Sequence, residues 1–258
     1  MTTIDILKKF ESYPTFTVDT LANILHKDPA YAKLYLSRLK HRGLIKHLQR
    51  NVYTTQHDPL IVASHIIWPS YISLWTALRY HDLTEQIPTT ISVVTPRSKT
   101  RTTIHFENTT IEFHHIRPAW FFGYEKTRIS DFEVFIAEPE KALIDALLLK
   151  AISATEVYAI LTEYRTKFSS NKIITYSLQT KNKALIKRIG WMLSSLHVAS
   201  AKRLQKHSYP TVIPFDYARS AVGKRDTTWG LILNNRGIKY SNHGCDDRLG
   251  PLKNQESL

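Results

Sequence analysis

Carboxylates and a lysine lie close together in the middle of the sequence, where they could form a metal-dependent nuclease site. Asp131 is followed by Glu138, Glu140 and Lys141, and an Asp…Glu-x-Lys pattern can hold Mg²⁺ and activate a water molecule. The spacing does not fit, because Lys141 directly follows Glu140 and lies three residues after Glu138. Pro139 and the apolar period after it predict a helix start, where acidic side chains stabilise the first turn. We therefore interpret the two glutamates as helix-capping residues.

Histidines are the other side chains that could carry chemistry. His114 and His115 are adjacent in a predicted strand and therefore point to opposite faces. His105 could meet His115 across a hairpin, but the sequence offers no third ligand. The sequence also has no glycine-rich phosphate loop, no Gly-x-Ser-x-Gly and no His-Glu-x-x-His. We predict a protein without metal, cofactor or catalytic residues.

A basic helix near the start of the chain carries the clearest functional signal. Asp28 is a typical N-cap and Pro29 a typical first helical residue. The apolar stripe of this helix is Ala32, Leu36 and Leu39. With that stripe packed inward, the opposite face can enter the major groove of DNA, where arginine reads guanine and lysine or serine holds phosphate. The predicted DNA-contacting residues, on this helix and the hairpin after it, are Tyr31, Lys33, Tyr35, Ser37, Arg38, Arg42, Lys46, Arg50 and Asn51.

The segments before and after this helix predict the domain in which it packs. A short helix near Ile4 and a second one capped by Thr17 precede it, and Gly43 is suited to its left-handed end. Strands are predicted at 44–48 and 52–55. Three helices and a hairpin in this order predict a winged helix-turn-helix domain over residues 1–57. The alternative is that the same domain contacts a protein and that the basic helix face is only solvated.

Residues 58–150 predict a mixed α/β domain. In the stretch 71–96, a helix is predicted to begin after Pro69-Ser70 and to be followed by a polar elbow. Glu85 and Gln86 in that elbow could contact a partner or satisfy the turn. Strands are predicted at 90–95, 102–106, 110–116 and 132–136. A helix is predicted after Pro139.

Residues 151–235 predict a mostly helical, basic part, and residues 236–258 a mobile tail. Residues 151–258 hold seventeen basic and seven acidic side chains, whereas residues 58–150 hold nine and eleven. The candidate contacts to an acidic partner or to further DNA are Lys181, Lys183, Lys187, Arg188, Lys202, Arg203 and Lys206. The alternative is that these residues form a solvated helix face, as runs of charge usually do.

Composition favours a polyanionic partner. The 258-residue chain has a formal net charge of +13, which attracts DNA, RNA or an acidic protein without choosing among them. Its single cysteine, Cys245, excludes an intramolecular disulfide and a multi-cysteine zinc site. We find no signal segment and no apolar run long enough to span a bilayer, so we expect a cytoplasmic protein without a membrane partner.

Three segments in order resemble the AbiEi antitoxin family: YISLWTALRYHDLTEQIP, then ISVVT, then FIAEPEKALID. The resemblance covers roughly residues 5–235 and is strongest over 71–96 and 132–148, and Trp229 to Asn234 resembles the closing strand of the family. It implies an α+β protein with an N-terminal winged helix-turn-helix, an antitoxin-type domain and a helical C-terminal part. It further implies a transcriptional repressor that binds its own operator. The partner it implies is a nucleotidyltransferase-like toxin, AbiEii, which is neutralised in a type IV toxin–antitoxin system without formation of a stable complex.

Two alternatives to this function stay open at the level of sequence. The first is an orphan winged-helix transcriptional regulator that has no toxin partner. The second is an enzyme that acts on nucleic acid, which would cut or modify DNA in the presence of Mg²⁺. A neighbouring gene for a nucleotidyltransferase separates the antitoxin from the orphan regulator, and a nuclease assay separates both from the enzyme.

Overall fold

The computed structural model describes residues 2–98 and 102–234 and shows a mixed α+β protein. The chain divides into two compact units, Met1–Ala142 and a second unit that begins at Leu143. The predicted boundaries at residues 57 and 150 therefore differ from the observed division. Residues 2–57 belong to the same compact unit as the sheet that follows them. None of the helices in the described ranges combines the length and the apolarity that crossing a bilayer requires.

The first unit begins with helices and a hairpin and continues into a mixed sheet. Its helices are α1 (Thr3–Glu11), α2 (Val18–Leu25), α3 (Pro29–His41), α4 (Pro59–His65), α5 (Leu74–Tyr80) and the start of α6 (Pro139–Leu149). Its strands are β1 (Lys46–Gln49), β2 (Val52–Thr54), β3 (Tyr71–Ile72), β4 (Thr90–Thr95), β5 (Thr103–Phe106), β6 (Thr109–His115), β7 (Tyr124–Ile129) and β8 (Phe132–Ala137). A short 3-10 helix, Pro118–Trp120, precedes β7.

Local capping residues set the ends of the first three helices. The Thr17 side chain accepts a hydrogen bond from the Thr20 backbone N–H and begins α2. Asp28 does the same for α3 through the N–H of Tyr31, at 2.8 Å. After α3 the chain turns at Gly43, whose φ of 69° lies in the left-handed region that glycine adopts without strain. These predicted caps are confirmed.

A single apolar cluster holds α1, α2 and α3 together. Its buried members include Ile6, Phe10, Leu21, Leu36 and Leu39. The rings of Phe10 and Phe16 stack with centroids 3.7 Å apart. Because the stripe of α3 is used in this cluster, the opposite face of the helix is left at the surface.

The sheet of the first unit has the strand order β5-β6-β4-β3-β8-β7. The predicted strands at 90–95, 102–106, 110–116 and 132–136 are confirmed within one residue at each end, and β5 and β6 form the expected hairpin. Strand β4 is buried at nearly every position and pairs with β6 in parallel.

The helix that was expected to begin after Pro69-Ser70 begins later. Tyr71 and Ile72 form the short strand β3, which pairs with β4 through Val94 and Val93. Ile72 also pairs with Ile136 of β8. Helix α5 therefore begins only at Leu74, because pairing with strands on both sides takes up the two preceding apolar residues. Strand β7 was not predicted.

The second unit is mostly helical. After the rest of α6 it contains α7 (Ala154–Glu163), α8 (Ser170–Thr180), α9 (Lys183–Ser195), α10 (Lys202–Gln205), β9 (Ile213–Pro214), β10 (Lys224–Asp226) and β11 (Leu231–Leu233). Its strands are arranged in the order β10-β11-β9. Ser153 and Glu156 form a capping box at the start of α7. The expected mobile tail at 236–258 lies outside the described residues.

Candidate nucleic-acid interface

The outward face of α3 is basic and exposed. Lys33, Ser37, Arg38 and Arg42 are all exposed, as is about half of Tyr31. The helix sequence, PAYAKLYLSRLKH, contains no acidic residue. A helix with cations on one face and an apolar stripe on the other presents its positive charge in a fixed direction. This arrangement suits a partner that carries regularly spaced negative charge.

One further lysine and a histidine belong to this face although they were not among the predicted contacts. Lys40 and His41 are both exposed in the last turn of α3. Their spacing from Lys33 and Ser37 places them on the outward side, and a count of helical positions from the apolar stripe identifies them. Leu34, 52% exposed, adds an apolar side chain to the same surface.

Tyr35 is held more tightly than its neighbours on α3. Its hydroxyl lies 3.0 Å from the hydroxyl of Thr3, at the start of α1. Its ring stacks on that of Tyr31, with centroids 6.3 Å apart. Half-buried in this way, Tyr35 braces α3 against α1 and presents only part of its ring to a partner.

The hairpin between β1 and β2 carries the other predicted contacts. Arg50 is exposed at the turn. Asn51 has a φ of 61°, and its side-chain oxygen accepts a hydrogen bond from the backbone N–H of Val18 at 3.0 Å. Asn51 therefore ties the hairpin turn to the start of α2, and only its remaining amide group can serve a partner.

Lys46, a predicted DNA contact at the hairpin, is partly exposed and has partners within the protein. Its ammonium forms an ion pair with Glu107, at the turn between β5 and β6. It also lies 3.0 Å from Nδ1 of His57 and over the ring of Phe106, 5.2 Å from the centroid. Partial burial lowers the pKa of Lys46. Lys46 can reach a DNA phosphate only after the pair with Glu107 opens.

The candidate basic residues of the second unit separate into two groups. Lys181, Lys183, Lys202, Arg203 and Lys206 are exposed. Lys181 adopts a left-handed conformation, with a φ of 53°, where α8 ends. These five side chains can contact an acidic partner.

The prediction that Lys187 and Arg188 face a partner is wrong. Their exposed fractions are 0% and 6%. Lys187 donates to the carbonyl of Thr211 and lies over the ring of Tyr209, 4.2 Å from the centroid. Arg188 donates to the carbonyl oxygens of Phe215 at 2.7 Å and Pro214 at 2.9 Å.

The physical reason for this correction is the burial of α9 on all sides. Every residue from Leu185 to Leu193 is buried, so a long cationic side chain in the middle of this helix must find oxygen acceptors within the protein. Backbone carbonyls of the following segment supply them. Desolvation lowers the pKa of both Lys187 and Arg188.

The residues considered for a nuclease site are separated by burial: Asp131 is exposed and Glu138 is half-buried, whereas Glu140 and Lys141 lie in the interior. Glu140 and Lys141 are buried in the first turn of α6, in agreement with the predicted helix start. The ammonium of Lys141 donates to the hydroxyl of Tyr71 at 2.8 Å and lies 4.9 Å from the ring centroid of Phe122. Sequence reasoning missed the burial of Lys141, because its neighbours in the chain gave no sign of these aromatic contacts.

The candidate histidines are distributed over the β5–β6 hairpin. His105 and His115 are exposed, and Nδ1 of His105 lies 3.3 Å from the hydroxyl of Thr110 on the facing strand. His114 is half-buried, with Nε2 3.7 Å from a carboxylate oxygen of Glu112. Over residues 2–98 and 102–234, no group of three or more His, Cys, Asp or Glu side chains is placed to hold a metal ion.

The α3 surface is thus the described feature best suited to recognise another macromolecule. It combines guanidinium and ammonium groups, a hydroxyl and a tyrosine ring on one rigid helix. Comparison with known proteins shows no family model that matches the chain and no curated protein that matches it. A function for this chain is therefore inferred from the residues of the α3 surface.

Proposed function

We propose that residues 2–57 form a winged helix-turn-helix domain that binds double-stranded DNA. In this proposal α3 is the recognition helix, and the β1–β2 hairpin is the wing. The observation that carries the proposal is the acid-free basic face of α3, held outward by the burial of Ala32, Leu36 and Leu39. Three residues, His26 to Asp28, join α2 to α3, which is the length typical of a helix-turn-helix.

The side chains on α3 suit the two kinds of contact made in DNA recognition, those that read bases and those that bind phosphates. Arg38 and Arg42 can read guanine through two parallel hydrogen bonds in the major groove. Lys33, Lys40 and Ser37 suit contacts to phosphates, which position the helix without reading sequence. Arg50 at the wing can reach the backbone beside the groove.

We also propose that the protein represses its own operator and counteracts a nucleotidyltransferase-like toxin. The support for this role is the resemblance of residues 71–96 and 132–148 to AbiEi antitoxins. The exposed lysines and arginine of the second unit are the side chains offered to the toxin or to flanking DNA. Co-expression with a neighbouring nucleotidyltransferase tests this part, since relief of growth arrest is expected only from an antitoxin and not from an orphan regulator.

Binding to upstream DNA across a salt series tests the DNA-binding proposal. A protein with a net charge of +13 binds any DNA at low salt, and this binding weakens steeply as salt rises. We expect upstream DNA to stay bound at a salt concentration at which unrelated DNA of equal length has dissociated. Gel-shift or fluorescence-anisotropy titrations measure both curves. If the two curves fall together, the protein binds polyanions without reading sequence.

Replacing Glu107 with glutamine is expected to strengthen DNA binding. The change removes the carboxylate that pairs with Lys46, and the freed ammonium can then contact a phosphate. Because an ion pair of this exposure contributes about 0.2–1 kcal/mol, we expect up to about a fivefold rise in affinity. The salt dependence should become steeper by about one unit.

Glu133→Gln is the matched control for this prediction. Glu133 also pairs with a lysine of the first unit, Lys126, at 2.8 Å, and its replacement changes the net charge by the same amount. Equal effects of the two substitutions would show that net charge alone raises affinity and that Lys46 has no place at the interface.

A further inference from the structure

A cavity of about 350 Å³ lies in the second unit. This volume is at the lower end of the range of small-molecule sites. Trp191, Trp229, Asp226 and Lys202 line it, and its remaining surface comes from His197, Gln205 and small, hydroxyl-bearing or apolar side chains between α9 and β11. All of these residues belong to the second unit, whereas α3 belongs to the first.

Two tryptophans give the cavity aromatic walls in fixed positions. Trp191 packs against the rings of Tyr158 and Phe215, with centroids 5.2 and 4.6 Å away. The six-membered ring of Trp229 lies so close to Gly190 that a Cβ at that position would overlap it. Both indoles are therefore held before any ligand arrives, and a preformed aromatic surface favours a flat ring.

A buried carboxylate lies beside these rings. Asp226 is 2% exposed, and one of its oxygens accepts a hydrogen bond from the backbone N–H of Trp229 at 2.7 Å. Removal from water raises the pKa of Asp226. A carboxylate in such a wall accepts hydrogen bonds from a ligand and thereby regains part of the solvation it has lost.

The rim of the cavity has the opposite charge. Lys202, at the start of α10, is exposed and lines the opening, as does His197. Arg203, next in the chain, is also exposed. A ligand that complements the indoles and the carboxylate of the wall needs an aromatic ring with N–H donors. To complement the cationic rim as well, it needs an anionic group outside that ring.

We propose that this cavity binds the guanine base of a nucleotide. Guanine presents two adjacent N–H donors on one edge, at N1 and N2, which match the acceptor geometry of a carboxylate. The indoles of Trp191 and Trp229 pack against the base, and Lys202 holds the 5′-phosphate. The same chemistry is offered by a free nucleotide and by a guanine in single-stranded nucleic acid.

Calorimetric titration of the full chain with GMP, AMP, CMP, UMP and ribose 5-phosphate tests the proposal. We expect GMP to bind most tightly and ribose 5-phosphate to bind weakest. Titration with an oligothymidylate that contains one guanine, against an all-thymine oligonucleotide, distinguishes the two sources of the base. GMP binding no tighter than AMP or UMP binding would overturn the proposal.

Asp226→Asn is the decisive variant. Asparagine keeps an oxygen that can accept the N–H of Trp229, but it replaces the second acceptor with a donor. We expect GMP to bind at least about tenfold more weakly, while circular dichroism and the melting temperature show a folded protein. If this variant does not fold, Ala199→Leu, which fills the cavity from its exposed edge, should abolish GMP binding. Wild-type affinity in a folded variant of either kind would refute the assignment.

Discussion

Replacing Arg38 with alanine is expected to weaken binding to the upstream operator by about 1–3 kcal/mol, or roughly 5- to 150-fold. Arg38 is exposed on the outward face of α3, opposite the buried stripe, where a guanidinium can contact a guanine in two places. The loss should fall mainly on the specific site, so binding to unrelated DNA changes much less. Anisotropy titrations with both DNAs at one salt concentration measure the effect.

Two companion substitutions show whether this loss is specific. Lys33→Ala is expected to weaken binding on both DNAs and to reduce the salt slope by about one unit, since we propose that Lys33 contacts a phosphate. Lys8→Ala removes the same charge from an exposed position on α1, and it should have little effect. Wild-type binding by both α3 variants would show that α3 is not the recognition helix.

The second large effect is expected at Arg188. Its replacement by alanine leaves the carbonyl oxygens of Phe215 and Pro214 without their donor inside the second unit. Because each of the two buried acceptors left unpaired costs about 1–3 kcal/mol, we expect the free energy of unfolding to fall by about 2–6 kcal/mol. Urea denaturation followed by circular dichroism measures this change.

Lys183→Ala is the matched control, because Lys183 begins the same helix and is exposed. It should leave the free energy of unfolding within about 0.5 kcal/mol of the wild type. A wild-type stability for Arg188→Ala would mean that this arginine does not support the interior and is available to a partner, as the sequence had first suggested.

Helix starts could be predicted from the sequence because their causes are local. Thr17, Asp28 and Ser153 each bond to a backbone N–H three residues further along the chain, so neighbours in sequence contain all the necessary information. The outward face of α3 followed in the same way, since a helix with Leu36 and Leu39 buried must turn Arg38 outward.

Features that depend on distant residues could not be predicted. The segment at Tyr71 was expected to be helical, but it forms a strand because Tyr71 pairs with Val94 and the next residue pairs with Ile136. A charged residue is expected at the surface, and nothing near Arg188 in the chain reveals that Phe215 will accept its hydrogen bond. The ion pair of Lys46 with Glu107 likewise joins residues about sixty positions apart. Tertiary context decides each of these cases.

The position of β3 between β4 and β8 also constrains how the chain folds while it is being synthesised. Strand β4 leaves the ribosome soon after β3 and can pair with it. The partner of Ile72 on the other side, Ile136 of β8, is synthesised much later. The three-helix cluster near the N terminus depends on local contacts and can form early. In a nascent chain that stalls before residue 132, β3 can pair with β4 but has no partner on its other edge. Such an edge is a template for aggregation, so truncated products should be cleared by proteolysis rather than accumulate as partly active protein.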